Sequence, residues 1–310
     1  MLGKRWVYGT SRMAAVIDSN AIQAVFAQPD PEGAFAGDYV TYLRSVGARR
    51  PVLFLAFAPK VAGTFFRQAA MEVVNGGLFR TSHAQGGRDG APYLPNLLAC
   101  YLDKDLPEIV VHTHMQAFIA NRHILSVFGI RPVIMLRNLP DTLASFLDML
   151  ETDPVARAQC LNCVVPDDFV EWSRAQKTDF LLDIIAPWYA SYFASWKSFV
   201  DEEPEQVCVL HYGDFCQDPA KSVHMALTHA GFAASRDACA AALERVWPNR
   251  DKLRYNKGKE GRGAAYFSAP QLADITRKLS HYPQLDAWMP DLVGSVMKSV
   301  ASTFKTRAAS

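Results

Sequence analysis

The chain has 310 residues, half of them hydrophobic, and 32 Lys plus Arg against 31 Asp plus Glu give a net charge of +1. That is enough apolar material for one large α/β domain or two small ones. The balanced charge argues against non-specific nucleic-acid binding, which needs a basic surplus, yet leaves room for a local anion site. No apolar run reaches the ~18 residues of a membrane-spanning helix. The stretch Met1–Thr10 lacks the apolar core of a secretory signal, so a cytoplasmic protein without a transmembrane segment is expected. Cys160 and Cys163 form a C-x-x-C, but no second Cys/His pair completes a zinc site, and the six cysteines are expected as reduced, unpaired thiols.

Residues 1–50 are expected to form an N-terminal extension packed on a main domain of residues 51–310. In the extension, Ala14–Ala27 has spacing compatible with a helix, Gln28–Gly37 reads as a Pro/Gly-rich loop, and Tyr39–Val46 as a short helix. The run Pro51–Phe57 is apolar throughout and reads as a fully buried strand of a parallel sheet. It breaks at Pro59, turns at Gly63 and continues as a helix along Phe66, Ala69, Ala70, Val73 and Val74. Strand, tight turn and helix start present backbone N–H groups and a positive dipole end to an oxyanion, with Lys60 at the mouth.

Residues 75–96 are expected as a long Gly-rich connection carrying His83 and Arg88. A second strand, Glu108–His112, leads to Thr113-His114-Met115, and helical spacing resumes at Ile119, Ile124, Leu125 and Phe128. A third strand, Pro132–Leu136, runs into Arg137-Asn138-Leu139-Pro140-Asp141 and then a helix with Leu143, Phe146, Leu147 and Leu150 on one face. Three strand-to-helix units in succession predict a doubly wound parallel sheet with helices on both faces. Lys60, His114 and Arg137 each follow a strand end, where such sheets bind ligands.

Residues 151–178 read as a polar loop, and Phe180–Val200 as a helix whose aromatic stripe is expected in the core. A fourth strand, Gln206–Tyr212, leads through a G-D-F-C-Q-D-P turn to a helix at Pro219. Further helices are expected near 219–230, 235–247, 269–280 and 290–304, giving a helical C-terminal part. The segment Arg254–Gly263 packs four basic residues and three glycines, the composition of a phosphate clamp or of a solvated loop.

Taken together these segments resemble the PAPS-dependent sulfotransferases, PAPS being 3′-phosphoadenosine 5′-phosphosulfate. P-K-V-A-G-T-F-F at Pro59 to Phe66 resembles their 5′-phosphosulfate loop and differs from the P-loop of nucleoside triphosphatases, because its Lys precedes the Gly. H-T-H-M, ending at Met115, is similar to the K-T-H-L segment with the catalytic His, which maps onto His114 and leaves His112 at the Lys position. Arg137-Asn-Leu-Pro-Asp-Thr-Leu-Ala-Ser145 resembles the R-N-x-x-D-x-x-x-S motif for the 3′-phosphate. Tyr212-Gly-Asp214 is similar to the Y-E-D segment near the adenine, and Trp188-Tyr189 with Trp196 to the helix before it. N-K-G-K-E-G-R-G, from Asn256 through Lys257 and Gly258 to Arg262 and Gly263, resembles the C-terminal loop over the 3′-phosphate. The resemblance spans about residues 51–263.

It implies the P-loop-like sulfotransferase fold and transfer of a sulfonyl group from PAPS to an acceptor hydroxyl, leaving PAP (3′,5′-ADP). Lys60 and His114 would be catalytic; Lys60, Val61, Ala62, Gly63, Thr64, Phe65, Phe66, Arg137, Ser145, Tyr212, Asn256, Lys257, Gly258 and Arg262 would bind the cofactor; no metal is needed. Val61 is an insertion, Phe65 replaces a hydroxyl residue, Phe66 a Trp against adenine, and Asn256 an Arg, departures that bear on cofactor affinity. The last loop is nearer to bacterial members acting on carbohydrates or lipids, so the partner expected is a small-molecule, glycan or lipid acceptor; a homodimer is compatible with all of this. A kinase would need a Lys after the Gly turn, and a non-catalytic nucleotide-binding scaffold would dispense with Lys60 or His114.

Overall fold

The computed structural model describes residues 34–82, 90–158, 160, 163–253 and 261–294. After a first helix, α1 (Ala34–Gly47), the chain alternates strand and helix: β1 (Val52–Ala56), α2 (Gly63–Val74), β2 (Gly76–Phe79), α3 (Leu94–Leu102), β3 (Glu108–Thr113), α4 (Ile119–Val127), β4 (Val133–Leu136) and α5 (Leu139–Thr152). The strands are parallel and, with β5 (Cys208–His211), form one five-stranded sheet in the order β2-β3-β1-β4-β5. From β1 the chain first crosses to one side and later, through β4, to the other. Right-handed crossovers in both directions put helices on both faces, and every residue of β1 and β4 is accordingly buried.

The sheet register decides which strand ends meet. Ala56 pairs with Thr113 across β1 and β3, and Leu136 with His211 across β4 and β5. β1 also pairs with β4, so the ends of β3, β1, β4 and β5 open side by side around the place where the winding direction reverses.

The rest is helical. α6 (Pro154–Ala158) is short; α7 (Arg174–Phe180) passes through a π-helical turn at Leu181–Ile185 into α8 (Ala186–Glu202). Pro187, at the start of α8, has no N–H for the carbonyl one turn back, which accounts for the wide turn there. α9 (Tyr212–Gln217), α10 (Pro219–His229), α11 (Arg236–Val246), α12 (Ala269–Ser280) and α13 (Met289–Val293) follow. The aromatic stripe of α8 is core, as expected: Tyr189, Tyr192, Phe193 and Trp196 are fully buried.

Several expectations are corrected. Residues 75–96 are not one connection, because Gly76–Phe79 pairs with β3 as an edge strand and Leu94 already opens α3. α1 starts inside the segment read as a Pro/Gly loop. Residues 151–178 contain α6, a 3-10 turn at Phe169–Glu171 and the start of α7. The G-D-F-C-Q-D-P turn is mostly the helix α9. His83, Arg88, the 14–27 helix and most of the 290–304 helix lie outside the described residues.

At the end of the sheet away from the strand C-termini, Arg131 donates to His229 Nδ1 at 3.2 Å while His229 Nε2–H donates to the Gln206 carbonyl at 3.2 Å. Only the neutral ring accepts at Nδ1. Burial, then the Arg131 charge, hold its pKa below the ordinary 6.5. A depressed folded-state pKa gives stability that is present above the unfolded value and lost as pH falls through it. The melting temperature of the wild type should therefore drop more between pH 7.5 and pH 5.5 than that of His229→Gln; parallel drops in thermal denaturation would remove His229 from the balance.

Candidate active site

The stretch between β1 and α2 has an unusual backbone. Lys60 and Ala62 both adopt left-handed conformations, φ 69° and 63°, which non-glycine residues rarely do. Each costs on the order of 1–3 kcal/mol and persists only where the surroundings enforce it. Here they do so through the carbonyls. The Tyr192 hydroxyl donates to Ala56 O, His114 Nδ1–H to Phe57 O at 2.6 Å, the Tyr189 hydroxyl to Pro59 O at 2.8 Å, and Arg137 Nη1 to Lys60 O at 2.6 Å. Four carbonyls out of five are thus held by side chains that follow β3 and β4 or belong to α8. With the carbonyls fixed, the loop presents the first turn of α2: the N–H groups of Gly63, Thr64 and Phe65 lie ahead of the first intrahelical bond, Phe66 N–H to Ala62 O, and Ala62 supplies no capping side chain.

Gly63 is required by a close approach. A Cβ there would lie 2.6 Å from Nε2 of His112, which is buried edge-on to Phe57 and His114. The side chains of Val61, Phe65 and Phe66 are fully buried, so these positions offer a ligand their backbone only. Phe66, expected against a base, packs on Phe57 and Phe215 instead. Lys60, Ala62 and Thr64 are partly exposed at the mouth. His114 is also partly exposed, and because its Nδ1–H is committed to a carbonyl, Nε2 is the basic nitrogen.

Arg137 follows β4 and is only 6% exposed. Its guanidinium lies over the Tyr212 ring, 4.1 Å from the centroid, which joins the ends of β4 and β5. Among the described residues nothing accepts a hydrogen bond from its buried Nε. A buried cationic donor left open is costly unless an anion meets it. Ser145, two turns along α5, the helix that follows Arg137, is also buried.

Asp141, 1% exposed, accepts from Gly261 N–H and Gly263 N–H, each at 2.7 Å, and from Asn138 Nδ2 at 2.9 Å. Gly263 lies so close that a Cβ would be 2.4 Å from Pro140. Arg262, expected at the anion, turns instead to Asp148, its Nη2 2.6 Å from Oδ2. Burial works against its charge, but the hydrogen bonds and charge interactions with Asp148 and Tyr266 together outweigh this and raise its pKa. Burial, and then Asp148, likewise raise the pKa of the Tyr266 phenol. Asn256, Lys257 and Gly258 lie outside the described residues. Sequence reasoning missed Trp247, half exposed at the end of α11 with its ring edge-on to Phe65 at 5.9 Å; only the fold brings it to the start of α2. It also missed that Asp141, Asp148 and Tyr266 act together. No group of three metal-ligating side chains occurs among the described residues, and none of the described helices is long and apolar enough to cross a membrane.

No protein-family model and no curated protein matches the chain. Among solved structures, mouse sulfotransferase SULT7A1, crystallised with PAP, is similar with a TM-score of 0.54 at 14% identity, over 79% of this chain and 89% of that one. The chain has the sulfotransferase fold. Retinol dehydratase, solved with androsterone and the inactive cofactor PAP, matches at a TM-score of 0.47 and 11% identity, over 80% and 85% of the two chains. Within the sulfotransferase fold, the loop after β1 and Arg137 after β4 meet through the Lys60 carbonyl.

Removing one of the carbonyl anchors should loosen this loop. Tyr189→Phe leaves the buried Pro59 carbonyl without its donor and should cost about 1–3 kcal/mol, read in urea unfolding. An unchanged midpoint would mean that the carbonyl is satisfied another way.

Proposed function

We propose that the chain is a sulfotransferase that moves the sulfonyl group of PAPS to an acceptor hydroxyl. The observation that carries this reading is the buried Nε of Arg137, from which no described residue accepts, joined through the Lys60 carbonyl to a helix start whose leading N–H groups carry no side-chain cap. Two anion sites that share one wall suit a nucleotide with phosphates at both its 3′ and 5′ ends. PAPS supplies an activated sulfonyl group and a phosphate leaving group when bound.

In this reading the N–H groups of Gly63, Thr64 and Phe65, with the Thr64 hydroxyl, hold the 5′-phosphate and the sulfonyl oxygens. Lys60 neutralises the charge that grows on the bridging oxygen as the S–O bond breaks. His114 Nε2 takes the proton from the acceptor hydroxyl while its oxygen bonds to sulfur, a role for which its Nδ1–H···O bond to Phe57 holds the ring and tautomer. Arg137 and Ser145 grip the 3′-phosphate, with the segment of Asn256, Lys257 and Gly258 completing the site. Tyr212 stacks against the Arg137 guanidinium, and Trp247, half exposed beside Phe65 with Arg250 over its ring, lies near the start of α2 where the base would sit. The acceptor is a hydroxyl compound of the carbohydrate or lipid class, in line with the form of the last glycine-rich loop.

Calorimetric titration with 3′,5′-ADP beside ADP, each with and without Mg²⁺, tests the reading. Metal-independent binding of 3′,5′-ADP alone is expected; preference for ADP with Mg²⁺ would favour a kinase, and binding of neither a non-catalytic scaffold. With PAPS and a working acceptor, His114→Ala should lose on the order of 10²–10⁴ in kcat and should also bind 3′,5′-ADP more weakly, because the Phe57 carbonyl of the loop loses its donor. Full activity in that variant would exclude His114 as the base.

A further inference from the structure

α5 carries a polar stripe. Asp141, Ser145 and Asp148 are four and then three residues apart, the spacing that puts side chains on one helix face. The two acids at its ends hold the same short piece of chain. Asp141 takes the N–H groups of Gly261 and Gly263, and the residue between them, Arg262, reaches Asp148. Tyr266 closes the ring: its hydroxyl donates to Asp148 Oδ1 at 2.6 Å and accepts from Arg262 Nη2 at 2.9 Å. Arg174 of α7 lies over the Tyr266 ring at 4.5 Å and pairs with Glu151, the next turn of α5. Residues 261–266 are therefore fixed to α5 on both sides of Ser145.

We propose that Asp148, Arg262 and Tyr266 form a positioning latch that makes the site selective for a 3′-phosphorylated nucleotide. The proposal rests on the sulfotransferase reading and changes the role of one residue in it: Arg262 does not touch the phosphate. Its charge is matched by Asp148, and its work is to fix the backbone beside Ser145 before the ligand arrives. A segment already held in its binding geometry loses less freedom on binding. A ligand without the 3′-phosphate does not use that geometry and is indifferent to it.

The test is a calorimetric comparison of 3′,5′-ADP with 5′-AMP on the full chain, for wild type, Asp148→Asn, Arg262→Gln, the double variant and Tyr266→Phe. The latch predicts that Asp148→Asn and Arg262→Gln each weaken 3′,5′-ADP by about tenfold and leave 5′-AMP unchanged. The double variant should lose no more than the weaker-binding single one, because both changes break the same contact. Tyr266→Phe, which keeps the packing and decides the matter if the charge variants fail to fold, should show a smaller loss, again for 3′,5′-ADP only. Three results would overturn the latch: additive losses with Arg262→Gln the larger, which make Arg262 a phosphate ligand; equal losses for both nucleotides, which make the cluster merely structural; or no loss in Asp148→Asn and Tyr266→Phe. A wild type that does not distinguish the two nucleotides would overturn the sulfotransferase reading along with the latch.

Discussion

The loop between β1 and α2 can offer N–H groups to an anion only if its carbonyls face the other way, and carbonyls turned into a protein interior need donors. Tyr192, His114, Tyr189 and Arg137 supply those donors at residues 56, 57, 59 and 60. Much of the architecture follows from this requirement. α8 must pack under the loop so that two tyrosine hydroxyls reach it. β3 and β4 must flank β1 so that His114 and Arg137 arrive beside it. The left-handed backbone at Lys60 and Ala62 is held by these contacts, so the strain and the anion site have one cause.

His114 and Arg137 each serve two ends. Nδ1–H of the histidine holds the loop and thereby leaves Nε2 as the basic atom. One guanidinium nitrogen of the arginine holds Lys60 O, while no described residue accepts from its buried Nε. Loop geometry and the chemical groups around it are therefore coupled, and a substitution at either residue acts on both. α5 extends the arrangement, with Asn138 and Asp141 capping its start and the same Asp141 carboxylate receiving the glycine-rich segment.

Much of the sheet was legible in the sequence. β1, β3 and β4 are apolar runs because both their faces are covered, and Lys60, His114 and Arg137 each follow one of them. β2 was not legible: Gly76 and Gly77 lack side chains that mark a strand, and their place is set by close approach to Glu108 of the neighbouring strand and to Pro107 just before it. The left-handed turns at Lys60 and Ala62 were hidden as well, since local preference would put glycine there and distant hydroxyls decide otherwise. Arg262 read as a phosphate ligand from its basic surroundings, because nothing local reveals that Asp148, more than a hundred residues earlier, lies beside it. The half-exposed Trp247 belongs to the same class of long-range juxtaposition.

A crystal structure of the complex with 3′,5′-ADP would test the central claim most directly. The 5′-phosphate should rest on the N–H groups of Gly63, Thr64 and Phe65, and the 3′-phosphate should lie between the Arg137 guanidinium and the Ser145 hydroxyl. A nucleotide bound elsewhere, or one whose 3′-phosphate points away from Arg137, would contradict it.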